Sequence, residues 1–251
     1  MSRICLRFYA ELNDFLPPAL RGTDIEHAFG RRASIKDMIE AFGVPHTEVE
    51  VILVNGRAVD FSYIVQDGDR ISVYPMFESV DVTPLLRLRP AALRNPQFIL
   101  DSNLGRLARY LRLLGLDCLY RNDYHDAEVA RIASEQQRTV LTRDRTLLQR
   151  RIITHGYYVR AQQPRRQVRE VLARFDLYRQ VKPFSRCTRC NGKLESVDKQ
   201  VVLQRLEPKT RRYYDDFRRC ADCGQVFWQG SHHTRMQQLV AALLSRDTDP
   251  D

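Results

Sequence analysis

Two Cys-x-x-Cys pairs constrain this chain more than any other feature of its sequence. The four residues are Cys187, Cys190, Cys220 and Cys223. Four thiolates at such spacing suit Zn²⁺ in a closed, tetrahedral, structural site. Redox-active thiols and a site without metal are the alternatives. The stretch between the pairs is longer than in the tightest patterns of this kind, so we predict a zinc ribbon over residues 183–240 with an insertion around LEPKTRRYYDDF.

The N-terminus bears on the compartment in which these thiols lie. MSRICLRFYAELNDF alternates apolar and polar residues and carries acids early, which is unlike a signal peptide. No run of about 18 uncharged apolar residues is present in the sequence. We therefore expect a cytoplasmic protein that does not enter a membrane, with thiols kept reduced for metal binding. The two remaining cysteines, Cys5 and Cys118, lie in apolar strand patterns and are expected in the core.

The net charge of +9 is unevenly distributed along the 251 residues. Residues 1–85 hold 8 Lys and Arg against 13 Asp and Glu, a net charge of −5. Residues 86–251 hold 32 against 18, a net charge of +14. A basic excess of this size is expected of a nucleic-acid-binding protein, although an acidic protein partner or an anionic surface fits it too. The charge alone therefore favours a nucleic-acid partner.

Residues 1–82 have the pattern of a small mixed α/β domain. RICLRFYAEL alternates as a half-buried strand does, and SIKDMIEAFG has apolar residues at helical spacing followed by glycine. Two further strand runs are broken by Asn55-Gly56 and Asp67-Gly68. The pattern resembles the β-grasp, ubiquitin-like domains of the sulfur-carrier type. Those carriers act through a free C-terminal Gly-Gly, and this segment has none, so we expect a docking or structural role with a protein partner.

A connector, residues 83–96 (TPLLRLRPAALRNP), separates this domain from the next. Its prolines lack the amide donor that regular structure needs, which suits an interdomain strap. Its arginines face either RNA or water, and we favour water.

Residues 97–182 alternate strands with helices. QFILD, LDCLYRN, RTVLT and GYYVRA have strand patterns; SNLGRLARYLRLLG, HDAEVARIASEQ and RRQVREVLARF have helical ones, and a shorter helix runs through Leu147 and Leu148. This order predicts a parallel sheet covered by helices. Ligands of such sheets collect outside the carboxyl ends of the strands.

Four acids follow the predicted strands of this sheet. Asp101 and Asp144 lie just past the first and third strands, and Asp123 and Asp126 follow the second. Grouped carboxylates repel one another unless a divalent cation neutralises them, and Mg²⁺ or Mn²⁺ held by oxygen ligands can position water and stabilise a phosphodiester transition state. Such a site suits a hydrolytic nuclease. Taken alone, each acid is as well explained as a helix cap or a turn residue.

Arginines accompany these acids. Arg143 and Arg145 flank one acid, and Arg106 and Arg109 form a row with Arg112 on the helix that follows another. We predict that Arg106, Arg109, Arg143 and Arg145 hold substrate phosphates. A solvated helix face is the alternative for the helical row.

Basic and aromatic residues interleave in the predicted ribbon. Aromatic faces stack on unpaired bases while arginines contact phosphates, which favours single-stranded or irregular RNA. For Phe217, Phe227 and Trp228 we expect instead the small core of the ribbon itself. His232 and His233 are expected in an exposed or substrate-facing loop, because the four cysteines complete the metal shell.

LDSNLGRLARYLRLLGLDCLY, VLTRDRTLL, RCTRCNGKLE and YDDFRRCADCGQVFWQGSHHTRM together resemble the Mut-7 C-terminal RNase domain family. The resemblance covers about residues 97–240, and the ubiquitin-like leader of bacterial members extends it to essentially the whole chain. It implies an α/β architecture: a PIN-like parallel-sheet core with an N-terminal β-grasp domain and a C-terminal zinc ribbon. It also implies metal-dependent RNA cleavage, with Asp101, Asp126 and Asp144 as catalytic metal ligands and the cysteines on zinc.

The second acidic ligand stays open between Asp123 and Asp126, and the position two after Asp101 is Asn103. We therefore predict a metal-dependent RNase, a hydrolase that uses Mg²⁺ or Mn²⁺ for catalysis and Zn²⁺ for structure. The alternatives are a noncatalytic RNA- or ribosome-binding module and an adaptor that acts through the β-grasp domain. The predicted organisation is a β-grasp domain (1–82), a linker (83–96), a PIN-like RNase domain (97–182), a zinc ribbon (183–240) and a tail (241–251).

Overall fold

The first strand, β1 (Ser2–Phe8), joins a five-stranded sheet because its apolar residues alternate, with Ile4, Leu6 and Phe8 buried. The computed structural model describes residues 1–75 and 96–245. The other elements of the first domain are β2 (Ile25–Phe29), α1 (Ile35–Ala41), β3 (Val49–Val54), β4 (Arg57–Val59) and β5 (Arg70–Pro75). The strand order is β2-β1-β5-β3-β4, in which β1 and β5 are parallel and the other neighbours antiparallel. This is the predicted β-grasp fold.

Local chemistry sets the boundaries in this domain. α1 begins with a capping box, in which the Asp37 N–H donates to Ser34 Oγ at 3.2 Å. Asn55 and Gly56 both have positive φ, 50° and 79°, as the tight turn between β3 and β4 requires. The strand predicted to reach residue 12 ends at Phe8, because a 3₁₀ turn begins at Ala10, whose φ is 47°. Strand β2 was not predicted, since IEHAF carries two polar residues in a short run.

Strands and helices alternate after Pro96. The elements are β6 (Phe98–Leu100), α2 (Gly105–Leu113), β7 (Cys118–Leu119), α3 (Asp126–Glu135), β8 (Thr139–Thr142), α4 (Arg145–Leu148), β9 (Gly156–Tyr158) and α5 (Pro164–Arg174). β6 pairs with β7 and β8 pairs with β9, both in parallel. The predicted PIN-like α/β architecture with parallel strands is confirmed.

All four strands are shorter than predicted, β7 and β9 by the most. β7 covers two residues of the seven in LDCLYRN, because its partner β6 offers only a three-residue strand. β9 ends at Tyr158. Beyond it, the N–H groups of Arg160 and Ala161 donate to the two carboxylate oxygens of Glu170 at 2.7 and 2.8 Å, so a side chain replaces a neighbouring strand as their acceptor.

The cysteine-bearing segment forms a three-stranded antiparallel sheet. It consists of β10 (Leu194–Val197), β11 (Phe217–Cys220) and β12 (Val226–Trp228), in the order β10-β11-β12. The predicted insertion lies between β10 and β11 and contains α6 (Lys199–Val202) and α7 (Pro208–Tyr213). The small core of this ribbon consists of Val202, Leu206, Phe217 and Val226. The core prediction is thus right for Phe217 but wrong for Trp228, whose exposed fraction is 40%, and for Phe227, which is half-buried outside this core.

A helix, α8 (Ser231–Leu244), follows the ribbon. The loop predicted for His232 and His233 is therefore wrong. The run MQQLVAALL that follows consists mostly of strong helix formers, which extend the helix through fourteen residues. Of the predicted tail, residues 241–244 belong to α8, whereas residues 246–251 lie outside the described part of the chain.

The contacts divide the chain into two compact units. One holds residues 1–75, Pro96 and 126–158, and the other holds residues 97–125 and 159–245. The proline-bearing connector, except for Pro96, lies outside the described residues. Among those residues, no helix combines the length and the apolar character that crossing a membrane requires.

Candidate functional site

The four cysteines come together in one cluster. Each offers one sulfur, and these sulfur atoms all lie within 4.8 Å of one another. Cys190 Sγ is 3.3 Å from Cys220 Sγ, and Cys187 Sγ is 3.7 Å from Cys223 Sγ. Tetrahedral Zn–S bonds of about 2.3 Å separate neighbouring sulfurs by about 3.8 Å. The cluster can therefore bind a metal such as zinc.

Two tight backbone turns position these sulfurs. In the first turn, the Cys187 N–H donates to the Gly192 carbonyl at 2.8 Å, and the Asn191 N–H donates to the Cys187 carbonyl at 2.9 Å. In the second, the Gly224 N–H donates to the Cys220 carbonyl at 3.0 Å. Only glycine fits at position 192, because a Cβ there would lie 2.6 Å from Cys220 Sγ. The two backbone turns themselves therefore bring the sulfur atoms close together.

Burial and crowding spread the pKa values of the thiols. Burial raises the pKa of Cys187 and raises that of Cys190 to about 12. Burial acts in the same direction on Cys223, but the backbone N–H of Gln225 and the neighbouring thiols outweigh it and lower the pKa of Cys223 to about 7. Thiols this close do not all ionise at neutral pH by themselves, whereas a divalent cation stabilises four thiolates together. The donor chemistry therefore fits a metal.

Polar side chains anchor the first cysteine turn to β7. Asn191 Oδ1 accepts the Cys118 N–H at 2.9 Å, and Asn191 Nδ2 donates to Asp117 Oδ1 at 2.9 Å. Arg186 donates to the other oxygen of Asp117, also at 2.9 Å. Asp117, which directly precedes β7, therefore ties the ribbon to the PIN-like domain. The sequence signal is Asn between Cys and Gly, since Asn tolerates the positive φ of 77° found here.

Arg112 makes a second link between the PIN-like domain and the ribbon. Its exposed fraction is 4%. Nε donates to the Cys118 carbonyl at 2.7 Å, and Nη1 donates to the Arg189 carbonyl at 2.8 Å. The solvated face considered for the helical row is thus wrong for Arg112, whereas Arg106 and Arg109 are exposed.

Arg112→Leu is expected to lower the free energy of unfolding by about 2–4 kcal/mol, because charge-assisted hydrogen bonds are lost and buried carbonyls lose their donor. Urea denaturation measures this change. Arg109→Leu on the same helix is the matched control and is expected to change the unfolding free energy by less than about 0.5 kcal/mol. Equal stability of the two variants would show that Arg112 does not hold the ribbon.

Asp101 directly follows β6 and is almost completely buried, with an exposed fraction of 5%. It caps the 3₁₀ turn Ser102–Leu104, since its Oδ1 accepts the Asn103 N–H at 2.8 Å. A buried carboxylate is costly unless hydrogen bonds or a cation compensate its charge. Asp101 is therefore the N-cap of this turn and a candidate metal ligand.

Asp144 is the N-cap of α4, two residues past β8. Its Oδ1 accepts both the N–H and the hydroxyl of Thr146, at 2.8 and 2.7 Å, and its own N–H donates to Thr142 Oγ1 at 2.9 Å. Within residues 1–75 and 96–245, the hydrogen bonds to this carboxylate all use Oδ1. The capping role uses Oδ1, and Oδ2 is available for another role.

The two acids after β7 differ in their surroundings. Asp126 opens α3, and its Oδ2 lies 4.0 Å from an Arg150 guanidinium nitrogen. Asp123 is exposed, and both of its oxygens accept from Arg121, at 2.9 and 2.6 Å. This bidentate pair lowers the pKa of Asp123, and a metal would have to compete with it. Asp126 is therefore the less tightly paired of the two acids.

The four acids are distributed over both compact units. Asp101 and Asp123 belong to the unit of residues 97–125 and 159–245, and Asp126 and Asp144 belong to the other.

The two arginines that flank Asp144 have different neighbours. Arg143 is exposed. The Arg145 guanidinium lies over two aromatic rings, 5.0 Å from the Phe15 centroid and 5.6 Å from that of Tyr158. It also donates to the Phe15 carbonyl at 3.3 Å. Arg145 therefore connects α4 to the β-grasp domain.

Further contacts bind the β-grasp domain to β9 and to the chain before it. The buried Glu48 accepts the Tyr158 N–H through Oε1 at 2.5 Å. The buried His46 ring lies between Glu40 Oε1, at 2.6 Å from Nδ1, and the Ile153 carbonyl, at 2.8 Å from Nε2. Sequence reasoning missed these residues, because PHTEVE reads as a polar turn.

The fold and the cysteine site together define a nuclease-like α/β protein with an N-terminal β-grasp domain and a zinc ribbon. The family model described as the Mut7-C RNAse domain matches residues 96–240, and the one described as Mut7-C ubiquitin matches residues 1–81. The chain belongs to the Mut7-C RNase domain family. Searches among curated proteins and among solved structures gave no significant match.

Proposed function

We propose that this protein is a ribonuclease that hydrolyses RNA phosphodiester bonds with Mg²⁺ or Mn²⁺ held by Asp101, Asp126 and Asp144. The observation that carries the proposal is that each of two acids follows a strand of a parallel pair: Asp101 directly follows β6, and Asp144 follows β8 by two residues. Ligand sites of open α/β sheets lie outside these carboxyl ends. The family supports a nuclease-like function in general.

The carboxylates suit a hard divalent cation. Mg²⁺ and Mn²⁺ prefer oxygen ligands, and one or two carboxylates with water and substrate oxygens complete their shell. Asp101 is buried and oriented by the Asn103 N–H, so its carboxylate is held in one direction. Asp144 is oriented in the same way by Thr146 through Oδ1, which leaves Oδ2 to meet the ion.

A bound Mg²⁺ or Mn²⁺ ion would supply an activated water and offset the charge that develops on the phosphate. The chain supplies the rest of the site. Arg106, Arg109 and Arg143 are exposed cations that contact substrate phosphates. Arg145, held against Phe15, acts mainly by positioning the turn that carries Asp144.

Cleavage of end-labelled single-stranded and structured RNA by the purified protein tests this proposal. Reactions contain Mg²⁺, Mn²⁺ or neither, and no chelator, because a chelator also removes zinc from thiolates. We expect cutting only when Mg²⁺ or Mn²⁺ is added. The absence of cutting with either metal would contradict the proposal.

A noncatalytic RNA-binding module is the second candidate, and the cap at Asp144 favours it, since a capping role needs no chemistry. This candidate predicts salt-sensitive RNA binding without cutting. An adaptor role of the β-grasp domain has less support. Glu48 and Arg145 join that domain to β9 and α4 within one compact unit, which supports a structural role for it.

A further inference from the structure

A cavity of about 800 Å³ lies between the zinc-ribbon sheet, α7 and the first turns of α8. This volume is in the range of about 300–1,000 Å³ that is usual for ligand pockets. All of its lining residues belong to one compact unit. The proposed carboxylate ligands do not line it. We call it the ribbon groove.

Aromatic side chains form the walls of the ribbon groove. Tyr213 at the end of α7 and Trp228 at the end of β12 line it, with exposed fractions of 63% and 40%. Large apolar side chains this exposed in one cavity usually mark a binding surface. The Trp228 indole lies against the backbone of Gly230, where an added Cβ would be 2.8 Å from its Nε1. The groove therefore offers an indole face and a second aromatic ring.

Cations accompany these rings. Lys209 and Arg218 line the groove, and Asp216 is one acid among its lining residues. Arg218 pairs with Phe227 across β11 and β12, so a guanidinium and an aromatic ring share one face of the sheet. The Arg212 guanidinium lies 5.5 Å from the Tyr213 ring centroid. The charge of the groove is complementary to an anion with flat, apolar parts.

We propose that the ribbon groove binds single-stranded RNA, with unpaired bases stacked on Trp228 and Tyr213 and phosphates at Lys209 and Arg218. Aromatic faces alternating with cations match a nucleic-acid strand, whose bases are flat and whose backbone is anionic. Bases in a duplex are stacked on each other and do not offer their faces, so the occupant is unpaired. The choice of RNA rests on the proposed nuclease function, whereas the stacking geometry rests on the groove.

Trp228 reports on this groove in the full chain, because the protein has one tryptophan. Its fluorescence is followed while a short single-stranded oligoadenylate is added to the wild-type protein without Mg²⁺ or Mn²⁺. Stacking of a base on the indole is expected to quench the emission. A duplex of the same length and a short polyglutamate are added in parallel, as a paired nucleic acid and as an acidic peptide.

Tyr213→Ala is expected to weaken the binding of oligoadenylate about tenfold, since stacking on one aromatic ring is lost. Tyr213 is highly exposed, so the variant keeps its fold. Tyr9→Ala is the matched control, because Tyr9 also has a guanidinium 5.5 Å from its ring but lies in the β-grasp domain, directly after β1. Its affinity for oligoadenylate is expected to equal that of the wild type.

Quenching of Trp228 by the single strand supports RNA binding in the ribbon groove if Tyr213→Ala weakens it and Tyr9→Ala does not. The absence of quenching, equal quenching by duplex or polyglutamate, or equal affinities of the Tyr213→Ala and Tyr9→Ala variants overturns it. RNA cleavage is measured on the same proteins, which separates the two proposals. Cutting without quenching refutes the groove alone, and quenching without cutting under either metal refutes the nuclease alone.

Discussion

Asp144→Asn is expected to reduce RNA cleavage by more than about a hundredfold while the protein stays folded. Removing a residue that only hydrogen-bonds to a metal ligand already reduces metal affinity or activity by about 10–100-fold. Removing a direct ligand has a larger effect. Asparagine caps helices as well as aspartate does, so the hydrogen bonds to Thr146 are kept. The substitution therefore separates the ligand role from the cap. Initial cleavage rates of end-labelled RNA measure it.

Asp198→Asn is the matched control for this prediction. Asp198 caps α6 as Asp144 caps α4: each helix has four residues, and each side chain accepts an N–H two residues on. Asp198 lies in the ribbon insertion, so its substitution is expected to leave the rate of RNA cleavage unchanged. Equal rates for the two variants would assign Asp144 to capping alone. Asp101→Asn is expected to match Asp144→Asn, because both carboxylates would hold the same ion.

Cys190→Ser is expected to remove the metal and unfold the ribbon. Zinc contributes about 10–16 kcal/mol to folding in small structural sites, and the ribbon has little core to replace it. That core consists of Val202, Leu206, Phe217 and Val226. Zinc content by elemental analysis and the fluorescence of Trp228, which lies on β12, measure the two effects.

Cys5→Ser controls for the loss of a thiol, since Cys5 lies on β1 outside the cluster. It is expected to keep a full complement of zinc and the wild-type tryptophan emission. Full zinc content in Cys190→Ser, or emission unchanged from that of the wild type, would contradict a structural metal site. The same measurement distinguishes metal ligands from redox thiols, because redox thiols would carry no zinc.

The bounds of the long amphipathic helices could be predicted from the sequence to within a few residues. The row of Leu104, Leu107, Leu111 and Leu114 marks the buried face of α2 and of the turn before it, and all four are buried. Gly115 ends that helix at a φ of 86°, which other residues rarely adopt. The cysteine cluster was equally predictable, since the two Cys-x-x-Cys turns fix the sulfurs locally.

Tertiary contacts were not predictable from periodicity. Arg112 stands three residues after Arg109 in the same helical row, yet it is buried, because the ribbon supplies carbonyl acceptors from about 77 residues away. Trp228 reads as a core residue by hydrophobicity, but its partners in the small ribbon core do not cover it. Strand β2 escaped prediction because pairing with β1, rather than its own composition, makes it a strand.

Mn²⁺ binding is the sharpest test of the proposal that Asp101 and Asp144 hold a divalent ion for RNA cleavage. Electron paramagnetic resonance counts the Mn²⁺ ions bound to the zinc-loaded wild-type, Asp101→Asn, Asp144→Asn and Asp198→Asn proteins, and cleavage is assayed on the same samples. We predict that the wild type and Asp198→Asn bind Mn²⁺ and cut RNA, and that the other two variants lose both together. Mn²⁺ binding and cleavage that survive in Asp101→Asn and Asp144→Asn would contradict the claim.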